Sequence, residues 1–211
     1  MKIEDMRKKI LNEIKPNIIS EGWNDNLIIN FSKLSKNSLD ELQVLFPDGY
    51  EELLQLYLDQ INENMTDKSK KLDLLRLKVH ERIREIIKLR LKIMLKEKKI
   101  ISKTFLYLLI PTNYKLASKN LYRTIDQIWF LAGDNSTDFN FYSKRIILAS
   151  IYTNTILHFI NNDKIDKTYN FLDSQLKRVS KIPKIKKGIK NIISVVPKIF
   201  KLKNNLSIFK Q

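Results

Sequence analysis

The sequence predicts an all-α protein, and three observations predict it. Apolar residues recur at steps of three and four along most of the 211 residues, the period of a helical face. Strand-type alternation bounded by turn clusters is nearly absent. Glycine and proline number only four and five. A chain of this length with 43% hydrophobic content can bury one substantial core and does not need two, so one domain is the default.

The elements follow in order. Residues 3 to 20 read as a first helix with Ile3, Met6, Ile10 and Ile14 on one face, which Pro16 bends or shortens. Short helices from Leu27 to Leu34 and from Leu39 to Leu45 come next, separated by Ser35-Lys36-Asn37-Ser38. Phe46-Pro47-Asp48-Gly49-Tyr50 turns the chain into a fourth helix, Glu51 to Met65, and Thr66-Asp67-Lys68 breaks it. A single long helix is expected from Lys71 to Glu97, with Leu72, Leu75, Val79, Ile83, Ile86, Ile87, Leu91 and Met94 on one stripe and charges elsewhere. Ile100 to Ile110 is a dense apolar helix, and Pro111-Thr112-Asn113 turns it into the helix that Gly133 closes. Residues 138 to 161 form a helix apolar on nearly every side, which buries it in the middle of the domain. A last helix of the body spans Ile165 to Val179 and packs back through Tyr169, Leu172 and Leu176.

The residues exclude several chemistries. There is no cysteine, hence no disulfide, no thiolate nucleophile and no thiolate-bound zinc. His80 stands among charges with Arg76 and Arg84 at helical spacing, which repel a metal. His158 lies in an apolar run and reads as a hydrogen-bonded core residue. No Gly-rich phosphate loop, paired-carboxylate motif, nucleophile elbow or Glu-x-x-His iron motif is found. The expectation is therefore a protein that is not an enzyme and carries no cofactor and no metal. Arg123 and Asp126, three apart, are expected to pair on one face.

Around Gly133 two helical patterns meet. Ser136 or Thr137 opens the second, with Asp138 and Asn140 in its first turn near the positive end of the helix dipole. The large side chains of Phe139, Phe141, Tyr142, Lys144 and Arg145 cannot all face one core. Either neighbours wrap the helix or a surface patch awaits a partner.

The stretch Leu121-Tyr122-Arg123-Thr124-Ile125-Asp126-Gln127-Ile128-Trp129, Ala132-Gly133-Asp134, Ser136-Thr137-Asp138-Phe139-Asn140 and Tyr142-Ser143-Lys144-Arg145 resembles the signature of the family of the ninth coenzyme Q biosynthesis protein. The resemblance reads through Leu148-Ala149-Ser150-Ile151-Tyr152 to Thr168-Tyr169-Asn170-Phe171-Leu172-Asp173. It also touches Phe46-Pro47-Asp48-Gly49 and Lys78-Val79-His80-Glu81-Arg82-Ile83-Arg84. It implies a TetR-like fold of about nine helices and a lipid-binding accessory of ubiquinone synthesis. On that reading an isoprenoid quinone or its precursor binds among Leu121, Ile125, Trp129, Leu148, Tyr152 and Ile156. Without the resemblance, a filled core and a pocket remain equally open there. Carried over by position, a patch of Ile128, Asp138, Phe141, Tyr142 and Arg145 meets the demethoxyubiquinone hydroxylase. Animal members have Trp at the position of Phe141, so an aromatic contact survives but an indole N–H donor is lost.

The three N-terminal helices also resemble those of TetR-type regulators, which makes a DNA-binding regulator the rival reading. The third helix would have to present hydrogen-bonding or basic side chains to the groove. It opens instead with Asp40 and Glu41, with only Lys33 and Lys36 nearby. No nucleic-acid partner is expected.

A net charge of +16 is concentrated at one end. Residues 174 to 211 hold eleven of the 39 Lys and Arg and none of the 23 Asp and Glu. Within that segment Ile185, Ile189, Ile192, Ile193, Val196, Ile199 and Phe200 fall on one stripe, with Lys190 among the lysines off it. A basic amphipathic helix of this kind rests on a membrane surface, gaining about 1 kcal/mol per lysine near an anionic leaflet. Docking on the chain's own body is the competing reading, and Pro197 should kink the helix at a cost of about 3 kcal/mol. A membrane-surface scaffold without a pocket is a further alternative.

The expected organisation is thus a helix-turn-helix-like segment at 1–45, a lipid-binding domain at 46–181 and the basic tail at 182–211. No apolar run approaches the roughly 20 residues of a spanning helix, and no signal or transit composition is visible at the start. The expected location is peripheral on the inner face of a bacterial membrane, or the mitochondrial matrix side for a processed eukaryotic form. A homodimer is among the expected assemblies.

Overall fold

The computed structural model describes residues 3–134 and 139–180. These form nine α-helices and no strand: α1 (Ile3–Glu21), α2 (Asn26–Leu34), α3 (Leu39–Leu45), α4 (Tyr50–Ser69), α5 (Val79–Leu95), α6 (Lys98–Leu108), α7 (Tyr114–Leu131), α8 (Phe139–Ile160) and α9 (Ile165–Ser180). A single 3₁₀ turn, Pro111–Asn113, joins α6 to α7. One contiguous apolar core runs from Ile10 in α1 to Leu172 in α9.

Two layers make up this core. In the first, α1 packs on α2, α4 and α6, and α2 on α3. Its helices meet through Leu11, Ile14, Ile18, Leu27, Leu53 and Leu54, all without exposed surface. In the second, α5 packs on α4, α7 and α9, while α8 lies between α7 and α9. The all-round apolar character of α8 follows from that position, since Leu148, Ile151, Ile156 and Phe159 are all buried.

Most expected elements fall within a residue or two of their predicted ends, and α1 continues through Pro16 to Glu21. Two expectations are corrected. The fourth helix does not break at Thr66-Asp67-Lys68 but runs on to Ser69. Thr66 donates back to the Asn62 carbonyl and Ser69 to the Thr66 carbonyl, so these polar residues are accommodated inside the helix. Nor does one helix cover Lys71 to Glu97. Residues 70 to 78 are a loop, α5 begins only at Val79, and α6 starts after a turn at Lys96 and Glu97. The apolar period at Leu72 and Leu75 misleads because Leu75 faces no neighbour and is 88% exposed. Arg82 ties the loop down instead, donating to the carbonyls of Leu77 and Leu75 at 2.9 and 3.3 Å.

Gly133 ends α7 at φ 78°, a left-handed conformation that glycine adopts without Cβ strain. Its N–H bonds the Phe130 carbonyl and that of Asp134 the Trp129 carbonyl, the paired bonds of a Schellman motif. This turn delivers Asp134 to the base of α8.

Candidate functional site

The second layer is hollow in two places. The first is a cavity of about 370 Å³ enclosed by α4, α5, α6, α7 and α8, within the range of small-molecule sites. Its mouth lies at the α6–α7 turn, where Leu109, Ile110 and Tyr114 are each about half exposed. Its walls are Phe105, Leu108, Leu121 and Ile156. Its deep end is polar, with Arg90, Thr104, Asn120, Thr124 and Tyr152 all buried.

Arg90 is 2% exposed. Its Nε donates to the Tyr152 hydroxyl at 2.7 Å, Nη1 to Asn62 Oδ1 at 2.6 Å and Nη2 to Thr124 Oγ1 at 3.4 Å. The guanidinium carbon stands 5.7 Å from the Tyr152 ring centre. Thr104 accepts from Trp23 Nε1 at 3.0 Å and donates to the Ile100 carbonyl. The loop after α1 is thereby joined to the cavity wall.

The second hollow, about 620 Å³, lies between α5, α7, α8 and α9. Ile83, Trp129, Leu148, Ile151 and Leu176 line it, with His80, Arg84, Lys144 and Asp173 at its rim. Arg84 grips Asp173 through Nε and Nη2, both at 2.6 Å, which holds the Asp173 carboxyl below its ordinary value and raises the Arg84 guanidinium. Lys144 lies 5.5 Å over the Trp129 ring.

The six residues expected to contact lipid do not converge on one site. Leu121, Tyr152 and Ile156 line the first cavity, Trp129 and Leu148 the second, and Ile125 is buried among the core residues of α7. Sequence reasoning missed Arg90, Thr104 and Thr124. Arg90 lies four residues from both Ile86 and Met94, on the apolar stripe of α5, which was the available signal.

The expected surface patch is also redistributed. Ile128 has no exposed surface and Arg145 only 7%, so both belong to the interior and neither can meet a partner. Arg145 pairs with Asp126 at 2.7 Å and with Asp134 at 3.6 Å, stacks 3.3 Å from the Phe141 ring and caps the Phe141 carbonyl. The anticipated Arg123–Asp126 pair is not made, because Arg123 reaches Asp59 across to α4 at 3.0 Å. Tyr142, 56% exposed, and the half-buried Phe141 are what the patch offers to solvent, their rings in edge contact at 5.1 Å. Asp138 lies outside the described residues. So do the membrane-surface residues Ile185, Ile189, Lys190, Ile192, Ile193, Val196, Ile199 and Phe200.

The remaining candidates occupy ordinary structural positions. His158 Nδ1 is 3.2 Å from Thr168 Oγ1 and its ring stacks on Phe171 at 4.4 Å. In α3, Glu41 accepts from the Ser38 N–H while Ser38 Oγ accepts from that of Glu41, a reciprocal cap that occupies one of the helix's two acids.

Nine helices in two layers, the second hollow and floored by polar groups, define an all-α protein of TetR-like architecture. The TetR transcriptional regulator from Nitrosomonas europaea superposes with a TM-score of 0.69 at 19% identity, covering 84% of this chain and 99% of that one. The family model for COQ9 matches residues 114–183, which comprise α7, α8 and α9. Over 182 residues the chain is 26% identical to the mitochondrial ubiquinone biosynthesis protein COQ9 of Bos taurus, covering 82% of this chain and 57% of that protein. The COQ9-A protein of Xenopus laevis is 28% identical over 185 residues with the same coverage. The chain is thus similar to the COQ9 family, most closely over α7, α8 and α9. It spans 57% of the length of these two curated relatives.

Proposed function

We propose that this chain serves ubiquinone biosynthesis as a non-catalytic lipid-binding accessory, holding an isoprenoid quinone intermediate in the α4–α8 cavity and handing it to the demethoxyubiquinone hydroxylase. The observation that carries the reading is the cavity, about 370 Å³ with apolar walls and an exposed apolar mouth at Leu109, Ile110 and Tyr114. Such a mouth lets a prenylated ligand pass from a bilayer without crossing water. The relatives' place in ubiquinone biosynthesis suggests the ligand class. The relatives' description as mitochondrial supports placement beside a mitochondrial membrane. Among the described residues no helix is long and apolar enough to cross a membrane, which accords with peripheral contact through the 182–211 segment.

In this scheme Phe141 and Tyr142 meet the hydroxylase, while Arg145 and Asp134 fix the angle of α8 that presents them. Mass spectrometry of a solvent extract of the purified protein tests the cargo. Near-stoichiometric isoprenoid quinone or precursor is expected, and a lipid-free protein that still folds overturns the reading. Copurification tests the handover: Tyr142→Ala should lose the hydroxylase while retaining lipid. An unchanged interaction would remove the patch from the scheme.

A further inference from the structure

Arg90 poses a problem that the protein alone does not solve. A buried guanidinium ordinarily faces a carboxylate, because the neutral interior does little to compensate a full charge. No described carboxylate forms an ion pair with Arg90. Its partners are the neutral oxygens of Tyr152, Asn62 and Thr124, the last at 3.4 Å, together with the Met65 sulfur. Five N–H donors therefore meet three oxygens and a thioether. The Tyr152 hydroxyl accepts from Arg90 and keeps its own proton for another acceptor. Both side chains line the cavity, at the end away from the exposed mouth.

We infer that the floor of this cavity is a subsite for an anionic oxygen head, a carboxylate or phenolate, on an otherwise apolar ligand. The ligand enters head first, Arg90 and Tyr152 hold the anion, and the chain extends past Phe105 and Leu108 towards Ile110 and Tyr114. A charge-assisted bond from arginine is stronger than its bonds to neutral oxygens, so the ligand completes what the fold leaves uncompensated. A purely hydrocarbon ligand would leave the guanidinium as it is and gain nothing from it. The inference rests on the cavity being the lipid site, and it narrows the cargo there to a phenolic or carboxylated form of the intermediate, since a quinone head carries no charge, and gives its direction.

The test compares oleate with oleyl alcohol, which share a chain and differ in the head, binding to the full-length protein by calorimetry at pH 8. The expected result is roughly tenfold tighter binding of oleate. Arg90→Gln should abolish that preference, and Arg90→Lys should retain part of it. Ala117→Trp, which fills the mouth, should abolish binding of both. If wild type binds the two equally and Ala117→Trp blocks both, the head subsite is wrong and the cavity reading stands. If wild type binds neither, or if Ala117→Trp blocks neither, the cavity reading fails and the subsite with it. Should Arg90→Gln not fold, the wild-type preference and its reduction by Tyr152→Phe decide the matter.

Discussion

The two layers of this protein bury different chemistry. Among the described residues, the polar and charged side chains that are buried begin at Ser69 and continue through Arg90, Thr104, Asn120, Thr124, Arg145, Thr155 and Thr168. The helices before that point bury aliphatic and aromatic groups. The first layer is thus organised by apolar packing, which is non-directional and tolerant of which residue supplies it. The second is organised by directional contacts around two hollows, where each substitution removes a particular bond. A scaffold needs only the first kind of interior; a site that recognises something needs the second.

Truncation breaks this comparison most directly. Leu54→Ala in the filled layer should cost about 2–5 kcal/mol, since a fully buried leucine leaves a cavity that its neighbours cannot close. Leu121→Ala, on a wall that already faces empty space, should cost about 1 kcal/mol, because part of its surface had no partner to lose. Urea unfolding followed by far-UV circular dichroism measures both. Equal losses would mean that the second layer is packed as tightly as the first.

Arg145→Ala should come next, at about 3 kcal/mol, the low end for one partner of a buried ion pair. Asp134, with its side chain 6% exposed, would lose one cation but keep Lys144 Nζ at 2.7 Å. The same denaturation experiment reads it. A loss below about 1 kcal/mol would assign the position to surface electrostatics.

The same division explains what could be read from the sequence. Apolar periodicity located the helices of both layers and the buried character of α8, because a buried stripe is written in steps of three and four whichever neighbour covers it. It misled at Leu72 and Leu75, where the period continues over a loop that packs on the core through Leu74 instead. It did not single out Arg90, although the residue shares a face with Ile86 and Met94. Spacing says which face a residue occupies and not whether that face meets a filled core or a hollow. Two residues leave the patch for a related reason: Ile128 and Arg145 match a family signature by position, but Ile128 is buried and Asp126 and Asp134 draw the arginine inward. Partners distant in sequence, such as Arg123 with Asp59, leave no local trace and cannot be read from it.

A smaller effect probes the hydrogen bond that joins the loop after α1 to α6. Trp23→Phe keeps an aromatic ring but loses part of the indole's volume together with the Nε1–H that Thr104 accepts. Because Thr104 Oγ1 still donates to the Ile100 carbonyl, the hydrogen bond's share of the cost is about 1 kcal/mol. Thermal unfolding monitored by circular dichroism should show one transition shifted down. Two separated transitions would mean that this bond, more than the shared core, holds α1 and α6 together.

The smallest effect belongs to the rim of the second hollow. Arg84 holds Asp173 through two bonds and lowers its carboxyl below the usual value. A depressed folded-state value means that the pair stabilises the protein above the ordinary carboxylate range and loses that contribution as pH falls through the folded value. The side chains are 40% and 33% exposed, so solvent screening keeps the gain below about 1 kcal/mol. Asp173→Asn should therefore destabilise slightly at pH 7, and the difference from wild type should close as pH approaches 3 or salt reaches about 1 M. The next residue on the inner side, Leu172, has no exposed surface, so α9 should stay seated in the variant. A large loss at pH 7 that salt does not reduce would instead make this ion pair the fastening of α9 and assign Leu172 the lesser part.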